Sequence, residues 1–435
     1  MKSDSYDNVV TSSDTGAPRE AWGARSLGRS ALQPVNRGAR LVTQHPHVMA
    51  NYGRLEINIV RGEGCRLYDE SGNAYLDMVA GIAVCALGHA HPRIARAVAE
   101  QAATLVHVSN LVHYEPTGTL ADRLAELAGF DAVFFCNSGA EANEAAIKLA
   151  RKHAWRRGEK ERNVILSAKG SFHGRTMGAL AATDNPKYHE GFEPLPRGFR
   201  HVAFNDLAAL DGAITEHTAA FLIEPVQGES GVVPATREYL LEARRLCTQR
   251  GALLIFDEIQ CGMGRLGRLF AHQFFDVLPD SLTLAKSLAN GLPIGALIVR
   301  GEAASSLKPG DHGTTFGGSP VPAAAALEHL KIREILDLDT HVEAMGALLL
   351  AELRQIAAEF PAVFDEPRGF GLMLGLPVRE PHAASAFVPH GLDNGLLINA
   401  AGRNTLRFVP PLIINADEIR EALQRLRATI AVTLA

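Results

Sequence analysis

The stretch SLTLAKSLANGLPIGALIVR, residues 281–300, holds two short apolar runs separated by a lysine and a loose turn. The runs, Ser281 to Ala285 and Gly295 to Arg300, are shorter than an ordinary helix. They show no alternation of polar and apolar residues, which suits strands buried on both faces. Lys286 closes the first run, and Asn290, Gly291 and Pro293 follow it closely. An ammonium group at the end of a buried strand, in backbone loosened by glycine and proline, calls for a chemical reason.

Working outward, the same kind of run recurs upstream: AVFF (132–135), NVILSA (163–168), HVAF (201–204), AAFLIEP (219–225) and GALLIFDE (251–258). Helical patterns lie between several of them, notably residues 139–157 and 236–250. Strand–helix alternation of this kind predicts an α/β domain with a mostly parallel central sheet. After about residue 320 the pattern changes to long helices over Val321–Glu359, then short strands at 371–376, 395–400 and 405–411, then a closing helix. This predicts a smaller α+β domain. No internal repeat is evident, and no low-complexity tract beyond the N-terminus.

Composition narrows the function classes. The chain is 47% hydrophobic and 21% charged, with a net charge of -5 spread along it, so nothing forms the basic stripe of a nucleic-acid binder. No apolar run approaches the ~20 residues that span a bilayer. The five cysteines are far apart, an odd number without a CxxC, which fits free thiols in a reducing, cytoplasmic setting. The first 45 residues are polar and carry Asp4, Asp7, Asp14 and Glu20 among their arginines. They read as a disordered extension rather than a secretory or organelle signal.

In open α/β sheets, ligands gather at the carboxyl ends of strands. Asn137-Ser138-Gly139-Ala140 ends one strand and opens a helix whose free N–H groups suit a phosphate. Taken alone it reads more plainly as a helix cap. Asp257 and Glu258 follow an apolar strand, and a carboxylate there needs a partner. Capping a neighbouring helix or pairing with Arg265 is as good a reading as a catalytic role. Lys286, one strand later, can reach solvent by its aliphatic stem, but its surroundings of small residues suit a desolvated amine that condenses with an aldehyde. Together the three make a phosphate cup, an acid for a ring nitrogen and an amine for an aldehyde, the set that pyridoxal phosphate needs.

The chain resembles the class III aminotransferases, and within them the acetylornithine aminotransferases, over roughly residues 46–430. The resemblance rests on ordered stretches including GIAVCALGHAHPRIARAV, AVFFCNSGAEANEAAIKLAR, SFHGRTMGALAAT, EPVQGESGVVPA, GALLIFDEIQCGMGRLGRLFA, PGDHGTTFGGSP and LRFVPPLII. It implies a fold-type I, pyridoxal-phosphate-dependent homodimer with active sites at the subunit interface. It also implies a layout of an N-terminal segment (46–80) shared with the small domain, a large cofactor domain (81–325) and a C-terminal small domain (326–435). By the resemblance, Lys286 binds the cofactor and moves the proton, and Asp257 pairs with the ring nitrogen. Gln260 bonds the ring hydroxyl, Ser138, Gly139 and Ala140 bind phosphate, and Phe172 stacks on the ring. Thr315 reaches the phosphate from the other subunit, with Thr314 beside the substrate. Arg175 and Arg407 clamp the carboxylates of the ω-amino donor and of glutamate or 2-oxoglutarate, because guanidinium binds carboxylate in a fork. Glu229 covers Arg407 in one half-reaction and swings away in the other. His89 and His91 look like a metal pair but lack a third ligand, so no metal is expected. His173 is read as a neighbour of the site, and Cys261 as a space-filler.

The implied reaction moves the δ-amino group of N2-acetylornithine to 2-oxoglutarate, a step of arginine biosynthesis. Val112 and His113 stand where two tyrosines are common, Ser319 where asparagine is usual and Cys261 where threonine is usual. Succinylornithine, succinyldiaminopimelate, ornithine and 4-aminobutyrate therefore stay open as donors. From other classes, a non-catalytic ligand-binding protein on this scaffold is opposed by the intact set of Lys286, Asp257 and both arginines. A nucleotide-dependent dehydrogenase is opposed by the lack of an early GxGxxG.

Overall fold

The computed structural model describes residues 47–435; the extension expected over 1–45 lies outside the described residues. All seven expected apolar runs enter one sheet. Its strands are β1 (Ala132–Cys136), β2 (Val164–Ala168), β3 (Phe199–Val202), β4 (Thr218–Ile223), β5 (Leu253–Asp257), β6 (Ser281–Leu284) and β7 (Gly295–Val299). They lie in the order β1-β7-β6-β5-β4-β2-β3. Every neighbouring pair is parallel except the two made by β7, which runs antiparallel to both β6 and β1. The cause is local. The link from β6 to β7 is only the turn around Lys286, too short for the crossover that a parallel return needs. β3 begins two residues before the expected run, because the edge strand tolerates the polar Arg200 and His201.

Both faces of this sheet are covered, which is why its strands read as unbroken apolar runs. On one face Leu253 and Ile255 pack against Ala145, Ala146, Leu149 and Ala150 of helix α1 (Gly139–Arg156). On the other, Leu254 and Phe256 join Tyr239, Leu240 and Leu246 of α2 (Arg237–Arg250). The chain therefore delivers Asp257 to the α1 side of the sheet.

The expected long helix over 321–359 is two helices, α3 (Pro320–Ile335) and α4 (Leu338–Glu359). The break falls at Asp337, whose φ of 44° is left-handed, a conformation aspartate tolerates better than most residues. The buried side chains of α3, among them Ala323, Ala326 and Leu330, belong to the core of the large sheet. A second core joins α4 to β8 (Arg368–Phe370), β9 (Met373–Pro377), β10 (Asn399–Ala401), β11 (Thr405–Phe408) and α5 (Ala416–Leu434). Cys65, Leu76 and Met78 share that core. The run expected as one strand at 395–400 is split between sheets. Leu396–Leu397 pairs with Ala74–Asp77 of the N-terminal meander, and Asn399–Ala401 pairs with β11. Among the described residues, no helix is long and apolar enough to cross a membrane.

Candidate active site

β5 and β6 are parallel neighbours with Asp257 opposite Thr283, so Lys286, just past the end of β6, emerges beside Asp257. The backbone around Lys286 departs from ordinary strand geometry. Lys286 itself has φ 35°, Asn290 has φ 49° and Gly291 φ 113°. Left-handed conformations in non-glycine residues cost energy and persist only where the surroundings hold them. Two bonds do so here. Ser287 Oγ donates to the Ala83 carbonyl and the Leu87 N–H donates to Asn290 Oδ1, both at 2.7 Å. The loosened stretch noted in the sequence is thus a fixed turn aiming Lys286 into a cavity of about 390 Å³. Burial of its ammonium pulls its pKa down, a tendency opposed by Glu229 and Asp257.

Asp257 is 3% exposed. Its Oδ2 accepts from Asn143 Nδ2 and lies against His173 Nδ1, each at 2.8 Å, and its Oδ1 accepts from the Ile259 N–H at 3.1 Å. Asn143 is itself held, accepting from Thr283 Oγ1 at 2.8 Å and donating to the His173 carbonyl at 2.7 Å. The adjacent Glu258 plays the plainer part, capping the helix Ala271–Phe275 by accepting from the Ala271 and His272 N–H groups. Arg265 pairs with neither acid; its guanidinium donates to the Leu372 and Pro410 carbonyls.

Ser138 caps α1, its Oγ accepting from the Glu141 N–H at 3.2 Å. The Gly139 and Ala140 amides, like those at any helix start, have no intrahelical acceptor. Two glycines allow this helix end to lie so close to its neighbours. A Cβ on Gly139 would sit 2.8 Å from Ile259 Cδ1, and one on Gly295 would sit 2.3 Å from the Ser138 carbonyl oxygen.

The cavity wall carries Ser138, Gly139, Ala140, Phe172, Arg175, Asp257, Gln260 and Lys286 of the expected residues. Gln260 connects it to a charged pair: Arg407 Nη1 bonds Glu229 Oε1 at 2.6 Å and Gln260 Oε1 at 3.3 Å. Burial raises the Glu229 carboxyl, but Arg407 outweighs it and the net shift is downward. Arg407 is 1% exposed on β11, whereas the Glu229 side chain is 28% exposed. Arg175 is exposed, its guanidinium 3.6 Å from the Tyr188 ring and 5.6 Å from that of Phe172, with no carboxylate partner among the described residues. Thr314 and Thr315 do not join this cavity. Thr314 Oγ1 accepts from Asn137 Nδ2 at 3.1 Å, and Thr315 faces outward.

His89 bonds Asp77 at 2.8 Å, and no group of three or more metal-binding side chains occurs among the described residues. Cys261 is buried against the Asp257 carbonyl. The sequence reading missed Asn143 and Glu224. Asn143 is the lone amide on the alanine face of α1, a polar residue where only packing is expected, and that was its available signal.

The donor set suits an anionic aldehyde: a helix start for phosphate, a buried carboxylate for a ring nitrogen, and an amine whose charge is disfavoured, all within one cavity of ligand size. The family described as aminotransferase class III matches residues 48–430. An acetylornithine aminotransferase of Thermosynechococcus vestitus is 48% identical over 392 residues, covering 88% of this chain and 95% of that one. The solved N-acetylornithine aminotransferase of Stenotrophomonas maltophilia K279a has a TM-score of 0.77 at 41% identity, covering 87% of this chain and 96% of its own. The ornithine aminotransferase of Toxoplasma gondii, solved with partial occupancy of PLP at its active site, has a TM-score of 0.85 at 36% identity, covering 89% and 92%. The chain belongs to the class III aminotransferases, and it is a pyridoxal-phosphate-dependent transaminase.

Proposed function

We propose that this transaminase moves the δ-amino group of N2-acetylornithine to 2-oxoglutarate, releasing N-acetylglutamate 5-semialdehyde and glutamate. The observation that carries the reading is the Arg407–Glu229 pair at 2.6 Å beside the Lys286 cavity. The reacting carbon of an ω-amine bears no carboxylate, and a buried guanidinium left bare beside it would be costly. Glu229 answers that charge in the donor half-reaction. Its partly exposed side chain can then yield its place to the α-carboxylate of glutamate. The acetylornithine aminotransferases among the relatives support the same donor.

Bound pyridoxal phosphate supplies the electrophilic carbon and the electron sink. The chain's own residues do the rest. Ser138, Gly139 and Ala140 would hold the phosphate, and Phe172 would pack on the ring. Asp257, met by Asn143, His173 and the Ile259 N–H, would pair with the ring nitrogen, and Gln260 would bond the ring hydroxyl. Lys286 Nζ would hold the cofactor and would carry a proton at the substrate carbon. Arg175, with no carboxylate partner among the described residues, takes the α-carboxylate of the donor. Thr315, which faces away from its own cavity, reaches the phosphate site of a second copy, with Thr314 beside it, so the working unit is a homodimer in the cytoplasm. Residues 46–80 and the C-terminal part form the small domain; its boundary with the large domain is better set at the Asp337 break than at 325, since α3 packs in the large core.

Ornithine is the second reading, favoured by the 0.85 TM-score to an ornithine aminotransferase. A donor panel with 2-oxoglutarate decides between them. We expect kcat/KM to be highest for acetylornithine. A higher value for ornithine, succinylornithine, succinyldiaminopimelate or 4-aminobutyrate would reject the assignment.

A further inference from the structure

The cavity holds a second buried carboxyl whose charge state is open. Glu224 directly follows β4, and the register of β4 on β5 pairs Ile223 with Phe256, which sets Glu224 next to Asp257 at adjoining strand ends. Ile223 and Phe256 pack into the same core, so the two acids share the opposite face, and both line the Lys286 cavity. Neighbouring parallel strands are ~4.8 Å apart, and two acids on adjoining strand ends inside a protein disfavour each other's ionisation. The hydrogen bonds are unequal. Asp257 is met by Asn143, His173 and the Ile259 N–H, whereas Glu224 has, among the described residues, a single donor, the Phe172 N–H at 3.0 Å on Oε2. Among the described residues no cation bonds Glu224, which is 6% exposed. The titratable groups facing it are Asp257 on β5, Lys286 beyond β6, and Glu229 in the loop after β4, with His173 in the loop that carries Phe172.

We propose that Glu224 works as the neutral acid of this pair, keeping its proton while Asp257 carries the charge. One oxygen then fixes the Phe172 backbone, and so the ring beside it. The other presents a carboxylic O–H, a donor, at the cavity wall. Burial drives the Glu224 carboxyl well above the usual carboxylate range, Asp257 drives it further, and the Phe172 N–H and Lys286 oppose this without reversing it. Glu224 is a positioning residue in this account. It keeps ring-side negative charge on Asp257 alone and holds the aromatic face.

The test is an infrared difference spectrum of holoenzyme at pH 7, parent minus Glu224→Gln. A protonated-carboxyl C=O band that shifts in D2O is expected; a carboxylate difference without that band would overturn the proposal. Kinetics give an independent arm. Glu224→Ala, which leaves the half-buried Phe172 N–H without its acceptor, should lower kcat/KM about tenfold or more. Glu224→Gln, the isostere of the neutral acid, should restore it to within about threefold of the parent. A glutamine variant as impaired as the alanine variant would show that the negative charge is needed and reject the idea. The infrared arm is independent of donor, so it stands or falls separately from the choice of acetylornithine.

Discussion

Two groups of charged residues meet at the Lys286 cavity, and they are built differently. On the cofactor side Asp257 is 3% exposed, met by three donors, and backed by Asn143, which is itself bonded on both sides of its amide. Lys286 sits on a strained turn pinned by Ser287 and Asn290. On the substrate side the Glu229 side chain is 28% exposed and held, among the described residues, by Arg407 and Gln260, and Arg175 rests on Tyr188 with no carboxylate partner among those residues. The first group permits one arrangement. The second permits two, because the partner that Arg407 loses when Glu229 leaves can be replaced by a substrate carboxylate. The proposed function, one fixed centre serving two kinds of amine, needs that division. A switch works only if each ligand favours one of its states.

Asp257→Ala should break the contrast most severely. It removes the charge from the cofactor side, and kcat should fall in both half-reactions alike, by about a thousandfold, the scale of losing a positioned acid–base group. Single-turnover assays with acetylornithine and with glutamate would show it, and a loss confined to one half-reaction would contradict the division drawn above. Glu229→Ala should act on the other side alone. The glutamate half-reaction should gain on the acetylornithine one by about tenfold, equivalent to about 1.4 kcal/mol. An unchanged ratio in the same assay would remove Glu229 from the switch.

The smallest effect belongs to a pair outside both groups. Burial pulls the His89 pKa down, but Asp77, with Cys85 beside it, outweighs this and raises it from 6.5 to about 9. A raised folded-state value means the stabilisation is fully present below pH 6.5 and fades as pH rises through about 9. Relative to His89→Gln, the parent should melt about 2 °C higher at pH 6 and show little advantage at pH 10. A gap that widened with pH would reverse the assignment, and neither half-reaction should change its share of the turnover.

Much of this was legible in the residues, for identifiable reasons. The seven sheet strands are covered on both faces, so Leu253–Asp257 and Ser281–Leu284 announce themselves as apolar runs, and the polar residues at their ends stand out. Lys286, Asp257 and the Ser138 helix start were found that way. What escaped depends on register and packing. Glu224 follows a strand as Asp257 does, but only the pairing of Ile223 with Phe256 brings the two acids side by side. Asn143 reads as one more helical residue until α1 is laid on the sheet and its amide meets Asp257. Residues 395–400 read as one strand because the apolar pattern is continuous, yet the stretch serves two sheets. Glu258 and Asp257 are indistinguishable in one dimension; strand alternation sends one to a helix cap and the other to the cavity.

The central claim is that Lys286 Nζ is where this enzyme holds its cofactor. Borohydride treatment of the holoenzyme, followed by proteolysis and mass spectrometry, tests it directly. The account predicts a reduced pyridoxyl-phosphate adduct on the peptide containing Lys286, absent from Lys286→Ala. An adduct on another lysine, or the same labelling in that variant, would contradict it.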